Sequence, residues 1–208
     1  MKVLVFGANG RVGSNIVQKL LRDGHQIRAF VHSNSSLTEH KDLEIVEGDV
    51  HNTKHVSEAL EGQEIVISAL GSWGTQSKDI LSAAMENIVP AMKKANVQRI
   101  ISLTGSGAIA PNDSPTVVDK LNRTFIRLAA SKILEDGERH IAILANSTLN
   151  WTVVRSPAMR NSASIRYVLS KRAPSPWASI SREAVAEAMV HLINDSQWLK
   201  AAPYIRTK

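Results

Sequence analysis

The stretch that decides the fold is Lys2-Val3-Leu4-Val5-Phe6-Gly7-Ala8-Asn9-Gly10-Arg11-Val12-Gly13. Its first five residues predict a short, mostly apolar strand, and apolar residues recur at helical spacing from Val12 to Leu21. The glycines stand between the two elements, where the chain turns from the strand into the helix. This order places unpaired backbone N–H groups at the start of a helix, where a diphosphate can bind.

Each glycine of this turn has a separate predicted role. Gly7 lets the chain leave the strand sharply, Gly10 lets the backbone approach the phosphates, and Gly13 lets the helix pack closely on the sheet. The spacing is G-x-x-G-x-x-G, whereas the usual dinucleotide fingerprint is G-x-G-x-x-G. The position between a strand and a helix favours a dinucleotide site. The alternative is a tight turn with no ligand, in which the extra glycines would cost backbone entropy without a gain.

Length and composition limit the possible classes of protein. The chain has 208 residues, 43% hydrophobic and 21% charged, which fits one soluble α/β domain with its own core. It is too short for a cofactor domain and a separate substrate domain. No apolar stretch is long enough to span a bilayer, so we expect no membrane association. The absence of cysteine excludes disulfides, thiol catalysis and thiolate metal sites, and it favours a cytoplasmic location.

The formal net charge of +6 suits an anionic cofactor. Nucleic-acid binding is the alternative for a basic chain. It is disfavoured because the sequence has no basic run and no basic patch interleaved with aromatic residues.

Strand and helix patterns alternate along nearly the whole chain. This alternation predicts an α/β fold with a doubly wound parallel sheet, a Rossmann fold of strand order 3-2-1-4-5-6. Residues 1–208 form a single domain, in which residues 156–180 make a small irregular substrate lobe over the carboxyl edge of the sheet. The predicted strands are 2–6, 26–32, 43–47, 65–69, 99–103 and 151–155, and the predicted helices are 11–23, 53–60, 78–95, 119–134, 136–147 and 182–193.

The end of the second strand indicates which cofactor is preferred. An NAD site places a carboxylate about 20 residues beyond the glycines, and the residue at that distance from Gly13 is Ser33. His32, Ser33 and Asn34 offer an imidazole, a hydroxyl and an amide, which accept a 2′-phosphate better than a carboxylate would. NADP is therefore favoured and NAD stays possible, with Arg11 as a candidate for the missing positive charge. Alternatively, residues 33–36 form an ordinary polar loop.

Other strand ends supply the remaining predicted contacts. Asp49 is a candidate acceptor for the adenine amino group, or else a turn or capping residue. Thr104 and Ser106 follow the fifth strand, where nicotinamide and substrate should meet, so both are candidate catalytic residues for polarising a substrate; either could instead satisfy loop backbone. The predicted cofactor-binding residues are Gly7, Asn9, Gly10, Arg11, Val12, Gly13, His32, Ser33, Asn34, Asp49, Val50, Ala69, Leu70, Gly71, Thr104 and Pro157. No metal site is predicted.

Three motifs carry a resemblance to a known group of proteins. They are the glycine turn, the segment Val46-Glu47-Gly48-Asp49-Val50, and the run from Leu134 through Asn150-Trp151-Thr152-Val153-Val154-Arg155-Ser156-Pro157. Together they resemble the atypical short-chain dehydrogenase/reductases, in particular the NmrA-like and flavin (biliverdin) reductase-like NAD(P)H-binding proteins. The resemblance implies a Rossmann fold and a bound NAD(P)H.

Two departures from this resemblance concern catalysis. Classical members use a Tyr-x-x-x-Lys pair, in which the tyrosine is the acid. Tyr167 and Lys171 have that spacing but lie beyond the sixth strand, so coincidence is the favoured interpretation. Flavin reductase-like members carry a histidine where this chain has Gly137, and a serine where it has Gly105.

The leading functional hypothesis is an NADPH-dependent oxidoreductase that transfers hydride to a small planar acceptor, such as a flavin or quinone, beneath the lobe. Trp73 could stack on such an acceptor, or it could be an ordinary packing residue. The runner-up is a non-catalytic NmrA-like sensor of cofactor redox state. A sugar-nucleotide epimerase or dehydratase is third, because those enzymes need the acid/base pair. The sequence makes no prediction of the oligomeric state.

Overall fold

A computed structural model describes residues 1–33, 35–71, 77–111, 113 and 117–208 of the chain, and within 117–129 it describes only the backbone. The strands are β1 (Lys2–Phe6), β2 (Gln26–Val31), β3 (Leu43–Glu47), β4 (Ile65–Ser68), β5 (Arg99–Gly105), β6 (Asn150–Ser156), β7 (Ala158–Arg160), β8 (Val168–Ser170), β9 (Ser179–Ser181) and β10 (Tyr204–Arg206). The helices are α1 (Gly13–Arg22), α2 (Thr53–Leu60), α3 (Ile80–Lys94), α4 (Val117–Ala145) and α5 (Arg182–His191).

The main sheet has the strand order β3-β2-β1-β4-β5-β6-β10-β8. Strands β1 to β6 are all parallel, so the predicted doubly wound fold and the order 3-2-1-4-5-6 are confirmed. Beyond β6, β10 continues the sheet in parallel and β8 pairs with β10 in the antiparallel direction. All parallel strands present their carboxyl ends at the same edge, which is where ligands bind in this architecture.

Residues 156–180 are more regular than their sequence indicates. They contain β7, β8 and the start of β9, and β8 belongs to the main sheet. Strands β7 and β9 form a separate parallel pair, with Arg160 opposite Ser181. Each strand has only three residues, which is too short for an alternating pattern to distinguish it from a loop.

The sheet separates two apolar layers. Along β1, Val3 and Val5 pack on the side that holds α1 and α5, whereas Leu4 and Phe6 pack on the side of α2 and α3. All four side chains are fully buried. Each such side chain contributes about 1.5–3 kcal/mol relative to an exposed one. Burial on both faces explains why β1 reads as a continuous apolar run.

Side chains cap three of the helices. Asn52 accepts hydrogen bonds from the backbone of the first turn of α2, and Ser181 accepts one from the Glu183 N–H in the first turn of α5. Helix α3 is capped from outside its own segment: the Asp136 carboxylate accepts from the N–H groups of Leu81 (3.1 Å) and Ser82 (2.8 Å).

Two helices occupy this part of the chain as predicted, but the break between them lies at Ala130 and not just before Asp136. The two helices follow each other directly within α4, and the backbone leaves the helical conformation at Ala130, with φ −153° and ψ 49°. Asp136 therefore lies inside the second of these helices, and its carboxylate bonds to the first turn of α3. Among the described residues, no helix is both long and apolar enough to cross a membrane.

Candidate cofactor-binding site

The glycine turn is as tight as its sequence predicts. Gly7 has a φ of +71°, in the left-handed region that favours glycine, and an added Cβ there would lie 2.9 Å from the carbonyl of Ala69. An added Cβ on Gly13 would lie 2.0 Å from the carbonyl oxygen of Gly7. Helix α1 can therefore begin directly against β1 only because position 13 carries no side chain.

The same turn presents open backbone donors. The turn is closed by hydrogen bonds from Gly10 N–H to Gly7 O (3.0 Å) and from Ser14 N–H to Gly10 O (2.8 Å). Val12, which precedes α1, contributes no side-chain cap. Within the described part of the chain, the N–H groups of Arg11, Val12 and Gly13 have no acceptor. Three unpaired donors at a helix start form a donor cradle, the kind of position at which a diphosphate can bind.

Asn9 fixes the loop after β2 beside this cradle. Its Oδ1 accepts hydrogen bonds from the Ser36 backbone N–H (3.0 Å) and from the Ser36 hydroxyl (2.8 Å). His32 and Ser33 are exposed at the end of β2, and no acidic residue occurs in the sequence from 32 to 38. The predicted contact Asn34 lies outside the described residues.

Asp49 makes the contacts of a turn residue. Its Oδ1 accepts from the His51 backbone N–H (2.9 Å) and lies 2.9 Å from His51 Nδ1. These hydrogen bonds hold the pKa of Asp49 below its ordinary value. The side chain of Val50 belongs to the core, so it could meet a cofactor only through its backbone. A contact from Asp49 to adenine stays a prediction.

Beside the ends of β4 and β5, the described residues leave space next to two glycines. An added Cβ on Gly71 or on Gly105 would meet no described atom within 4 Å. Ala69 and Leu70 are half-buried beside Gly71, and Pro157 is buried directly after β6. The predicted cofactor contacts at these strand ends therefore lie along one edge of the sheet. Trp73, the candidate stacking residue, is outside the described part of the chain.

The two candidate catalytic hydroxyls differ in their surroundings. Thr104 is 6% exposed, and a Cβ added to Gly137 would lie 2.6 Å from its Oγ1. The Thr104 side chain thus occupies the space that a histidine at position 137 would need. Ser106 is half-buried, and its backbone N–H donates to the carbonyl of Ser156 (2.8 Å). Ser106 is the more accessible of the two.

Sequence reasoning missed a buried ion pair between Arg155 and Asp113, which we call the Arg155 clamp. Arg155, 2% exposed, donates from Nη2 to Asp113 Oδ1 (2.9 Å), and its Nη1 donates to the other carboxylate oxygen. Nη1 also donates to the Ala108 carbonyl (3.1 Å) and the Tyr204 hydroxyl (2.9 Å), and Nε donates to the Ala202 carbonyl (2.7 Å). These hydrogen bonds connect the segment after β5 to Arg155 of β6 and to the residues at the start of β10. The sequence did contain one indication of this ion pair, an arginine within an apolar strand, because a buried charge requires partners.

A buried histidine beneath the edge was also missed. His140 on α4 is fully buried, and its Nε2 lies 2.7 Å from Ser102 Oγ on β5. Its Nδ1 has no hydrogen-bond partner among the described residues. Burial lowers the pKa of His140 to about 4, although the nearby Asp136 carboxylate acts in the opposite direction. His140 is therefore neutral near pH 7.

Tyr167 has a different partner from the one a Tyr-x-x-x-Lys site requires. Its hydroxyl lies 3.1 Å from His191 Nδ1, in the last turn of α5. Burial and two acidic neighbours raise the pKa of Tyr167. The residue directly precedes β8, which β10 separates from β6. This geometry agrees with a coincidental motif.

Known proteins share both sequence and fold with this chain. It is 30% identical over 120 residues to a 3-beta-hydroxysteroid dehydrogenase of Mycolicibacterium neoaurum, an alignment that covers 52% of this chain and 33% of that protein. The chain thus spans about a third of the length of this relative.

Two solved structures show the same fold over the whole length. A short-chain dehydrogenase/reductase from Veillonella parvula in complex with NADP has a TM-score of 0.80 at 21% identity, covering 99% of this chain and 94% of that one. ChuY, an anaerobilin reductase from Escherichia coli O157:H7, has a TM-score of 0.79 at 17% identity, covering 100% and 97%.

The family model described as NAD(P)H-binding matches residues 7–196, from the first glycine of the turn to beyond α5. This match agrees with the open amides at the start of α1 and confirms the predicted class of cofactor. The chain belongs to the NAD(P)H-binding family.

Proposed function

We propose that the protein is an NADPH-dependent oxidoreductase that reduces a small planar acceptor such as a flavin or a quinone. The observation that carries the proposal is the set of unpaired backbone donors at Arg11–Gly13, on the sheet edge where Gly71 and Gly105 have no described neighbour within 4 Å of an added Cβ. Membership of the NAD(P)H-binding family supports the cofactor, and the fold shared with an anaerobilin reductase supports reduction of a planar molecule.

We assign the residues of the site to binding and positioning the cofactor and the acceptor, and none of them to a covalent step. The three open amides hold the diphosphate, and Gly71 and Gly105 leave room for the nicotinamide half and the acceptor. NADPH, when bound, would supply a hydride, that is two electrons and one proton, and water would supply the second proton of the reduced acceptor. Ser106 is the hydroxyl we assign to the acceptor, because Thr104 faces Gly137 beneath it.

The preference for NADPH rests on the loop after β2. Its exposed residues His32 and Ser33 stand where an NAD site would place a carboxylate, and residues 32–38 contain no acidic side chain that would repel a 2′-phosphate. Arg11, exposed on the glycine turn, adds a positive charge on the same edge.

A redox sensor without catalysis is the second candidate. The observation that favours it is the pairing of Tyr167 with His191, which leaves no Tyr/Lys acid pair evident among the described residues. The same observation counts against a sugar-nucleotide epimerase, because that reaction needs the pair.

Cofactor binding and turnover distinguish the first two candidates. We expect the protein to change the fluorescence of NADPH on binding and to oxidise NADPH when riboflavin, flavin mononucleotide (FMN) or a soluble quinone is added. In a Gly13→Ala variant the new Cβ would collide with the Gly7 carbonyl, so both signals should fall by at least about tenfold. Tight NADPH binding with no oxidation by any of these acceptors would favour the sensor. The absence of binding would reject both candidates.

A further inference from the structure

The connection between β8 and β9, residues 171–178, places two cations and an uncovered tryptophan on one short segment, which we call the β8–β9 loop. Lys171 and Arg172 begin the loop and are both exposed. Trp177, near its end, is 92% exposed and is the most exposed large hydrophobic residue in the described part of the chain. Tryptophan side chains are highly buried on average, so a surface position of this kind indicates an interaction site.

The backbone of the loop holds Trp177 outward. A hydrogen bond from the Ala178 N–H to the Ser175 carbonyl (2.9 Å) closes a turn over Ser175-Pro176-Trp177-Ala178. Proline favours the second position of such a turn, because its φ is already fixed near the required value. Trp177 therefore occupies the third position, at the tip of a closed turn.

Both ends of the loop are anchored. The Arg172 N–H donates to Ser170 Oγ (2.9 Å), and the Ser170 hydroxyl donates to the Arg172 carbonyl (3.3 Å). Ser170 pairs with Tyr204 in the main sheet, and Ser179, which follows the loop, pairs with Ala158 of β7. The two cations and the tryptophan thus belong to one segment that strand pairing holds at each end.

The charge of this part of the chain has a single sign. Residues 156–181 contain four basic residues and no acidic residue. The basic residues, all exposed, are Arg160, Arg166, Lys171 and Arg172. None of the four forms an ion pair with a described residue. Their charges are therefore available to an anionic partner.

An anionic membrane surface matches this combination of side chains. Tryptophan is enriched at membrane–water interfaces, and anionic headgroups attract the basic residues next to it. Pro174 and Pro176 have no backbone N–H, so fewer backbone donors would lose water at such an interface. Ile165, 53% exposed in the same basic segment, adds apolar surface.

Two other kinds of partner match the loop less well. Proteins that bind single-stranded nucleic acid stack successive bases on several aromatic side chains, whereas Trp177 is the one aromatic among the exposed large hydrophobic residues described. A protein surface normally intersperses charges of both signs, but an anionic membrane presents one sign over its whole area. The uniform charge of residues 156–181 therefore favours the membrane.

We propose that the β8–β9 loop docks the protein on an anionic membrane surface, with Trp177 among the lipid headgroups and Lys171 and Arg172 against their negative charge. Docking of this kind needs no spanning segment, and the expectation of no membrane association rests only on the lack of one. The proposal goes beyond the oxidoreductase function and does not depend on it.

Lipid vesicles provide the test, with pure phosphatidylcholine compared with an equal mixture of phosphatidylcholine and phosphatidylglycerol. Flotation of the natural protein with the vesicles measures binding, and tryptophan emission is recorded on the same samples. We expect the mixed vesicles to bind at least about 25-fold more tightly at low salt, since each of the two cations contributes about fivefold. High salt should reduce this preference. The emission should shift to shorter wavelength as Trp177 leaves water.

Variants of the loop separate the two contributions. Trp177→Ala should abolish the emission shift and weaken binding about tenfold, without disturbing the fold because the side chain is exposed. Lys171→Gln combined with Arg172→Gln should remove most of the preference for mixed vesicles. The matched control is Lys93→Gln combined with Lys94→Gln, which removes two adjacent exposed charges from the end of α3. It should bind like the natural protein.

The proposal would be overturned by a failure to bind the mixed vesicles at low salt, by unchanged tryptophan emission on binding, or by an equal loss of binding in the two double variants. Tighter binding of a single-stranded oligonucleotide than of the vesicles, lost in Trp177→Ala, would assign the loop to nucleic acid instead. None of these measurements involves NADPH or an acceptor, so their outcome is independent of the test of the oxidoreductase function.

Discussion

Ser33 is the position at which an added negative charge should change the preference between NADPH and NADH. It is exposed directly after β2, and the Asn9–Ser36 hydrogen bonds hold its loop beside the glycine turn. In a Ser33→Asp variant the new carboxylate would repel a 2′-phosphate and could accept from a ribose 2′-hydroxyl. We expect NADPH affinity to fall by about tenfold, with NADH affinity unchanged or increased. Fluorescence titration with each cofactor measures both values.

Thr38→Asp is the control for this change, since it adds the same charge to an exposed residue further along the loop. It should affect both cofactors little. If Ser33→Asp leaves the affinity for NADPH unchanged, the loop after β2 does not contact the 2′-phosphate.

Single residues differ in how far their roles could be predicted from the sequence. The roles of Gly7 and Gly13 follow from local backbone geometry, so the order of strand, turn and helix was enough. Arg155 and His140 depend on partners that lie 42 and 38 residues away, Asp113 and Ser102. No local pattern specifies such a pairing. The sequence could show only that a charge in an apolar strand requires a partner.

Among the elements, the segment after β5 depends on the Arg155 clamp for its position. Asp113 accepts from the Arg155 guanidinium and also from the Ala110 N–H (2.9 Å), so it connects the segment to β6. Asp113→Asn would leave a buried guanidinium without its counter-charge. We expect the free energy of unfolding to fall by about 2 kcal/mol, less than for a fully buried pair because Asp113 is 18% exposed. Urea unfolding gives this value.

The same variant tests whether the clamp positions the acceptor site. We expect kcat for flavin reduction to fall by about tenfold with NADPH affinity unchanged, since the clamp holds Ala108 near Ser106 but is distant in sequence from the glycine turn. Glu86→Gln serves as the control, because it breaks the exposed Arg139–Glu86 ion pair. That pair should contribute less than about 0.5 kcal/mol. Equal destabilisation by the two changes would contradict a structural role for the clamp.

The elements themselves were predictable where burial gives a clear pattern. Strands β1 and β3 and helix α2 have the predicted bounds, because apolar runs and helical spacing mark them. The three-residue strands after β6 were not predicted. They form because a neighbouring backbone is available for pairing, as β8 shows on β10, and not because of their own composition.

At the scale of the whole molecule, His140 joins the sheet to one helical layer. Its ring lies between α4 and β5, hydrogen-bonded to Ser102, and Asp136 one turn earlier caps α3. The buried Nδ1 has no hydrogen-bond partner among the described residues, so no described acceptor would stabilise a proton on that nitrogen. A second proton on this ring would be a buried charge, which the fold disfavours.

His140 should therefore cause the free energy of unfolding to decrease as the pH falls. In the unfolded chain the histidine has a pKa near 6.5, whereas in the folded protein burial lowers the pKa to about 4. Between these values the unfolded state binds a proton that the folded state does not, so the free energy of unfolding falls as the pH falls. The stabilising contribution is fully present above pH 6.5, and its loss amounts to about 3 kcal/mol by pH 4. His140→Gln keeps a hydrogen-bonding side chain next to Ser102 but cannot titrate, so the stability of this variant should decline less over this range.

Urea unfolding at several pH values gives the slope of the free energy of unfolding against pH for the natural protein and for His140→Gln. His25→Gln, a change outside the core, should retain the slope of the natural protein. Equal slopes for the natural protein and His140→Gln would show that His140 is not held neutral in the folded state.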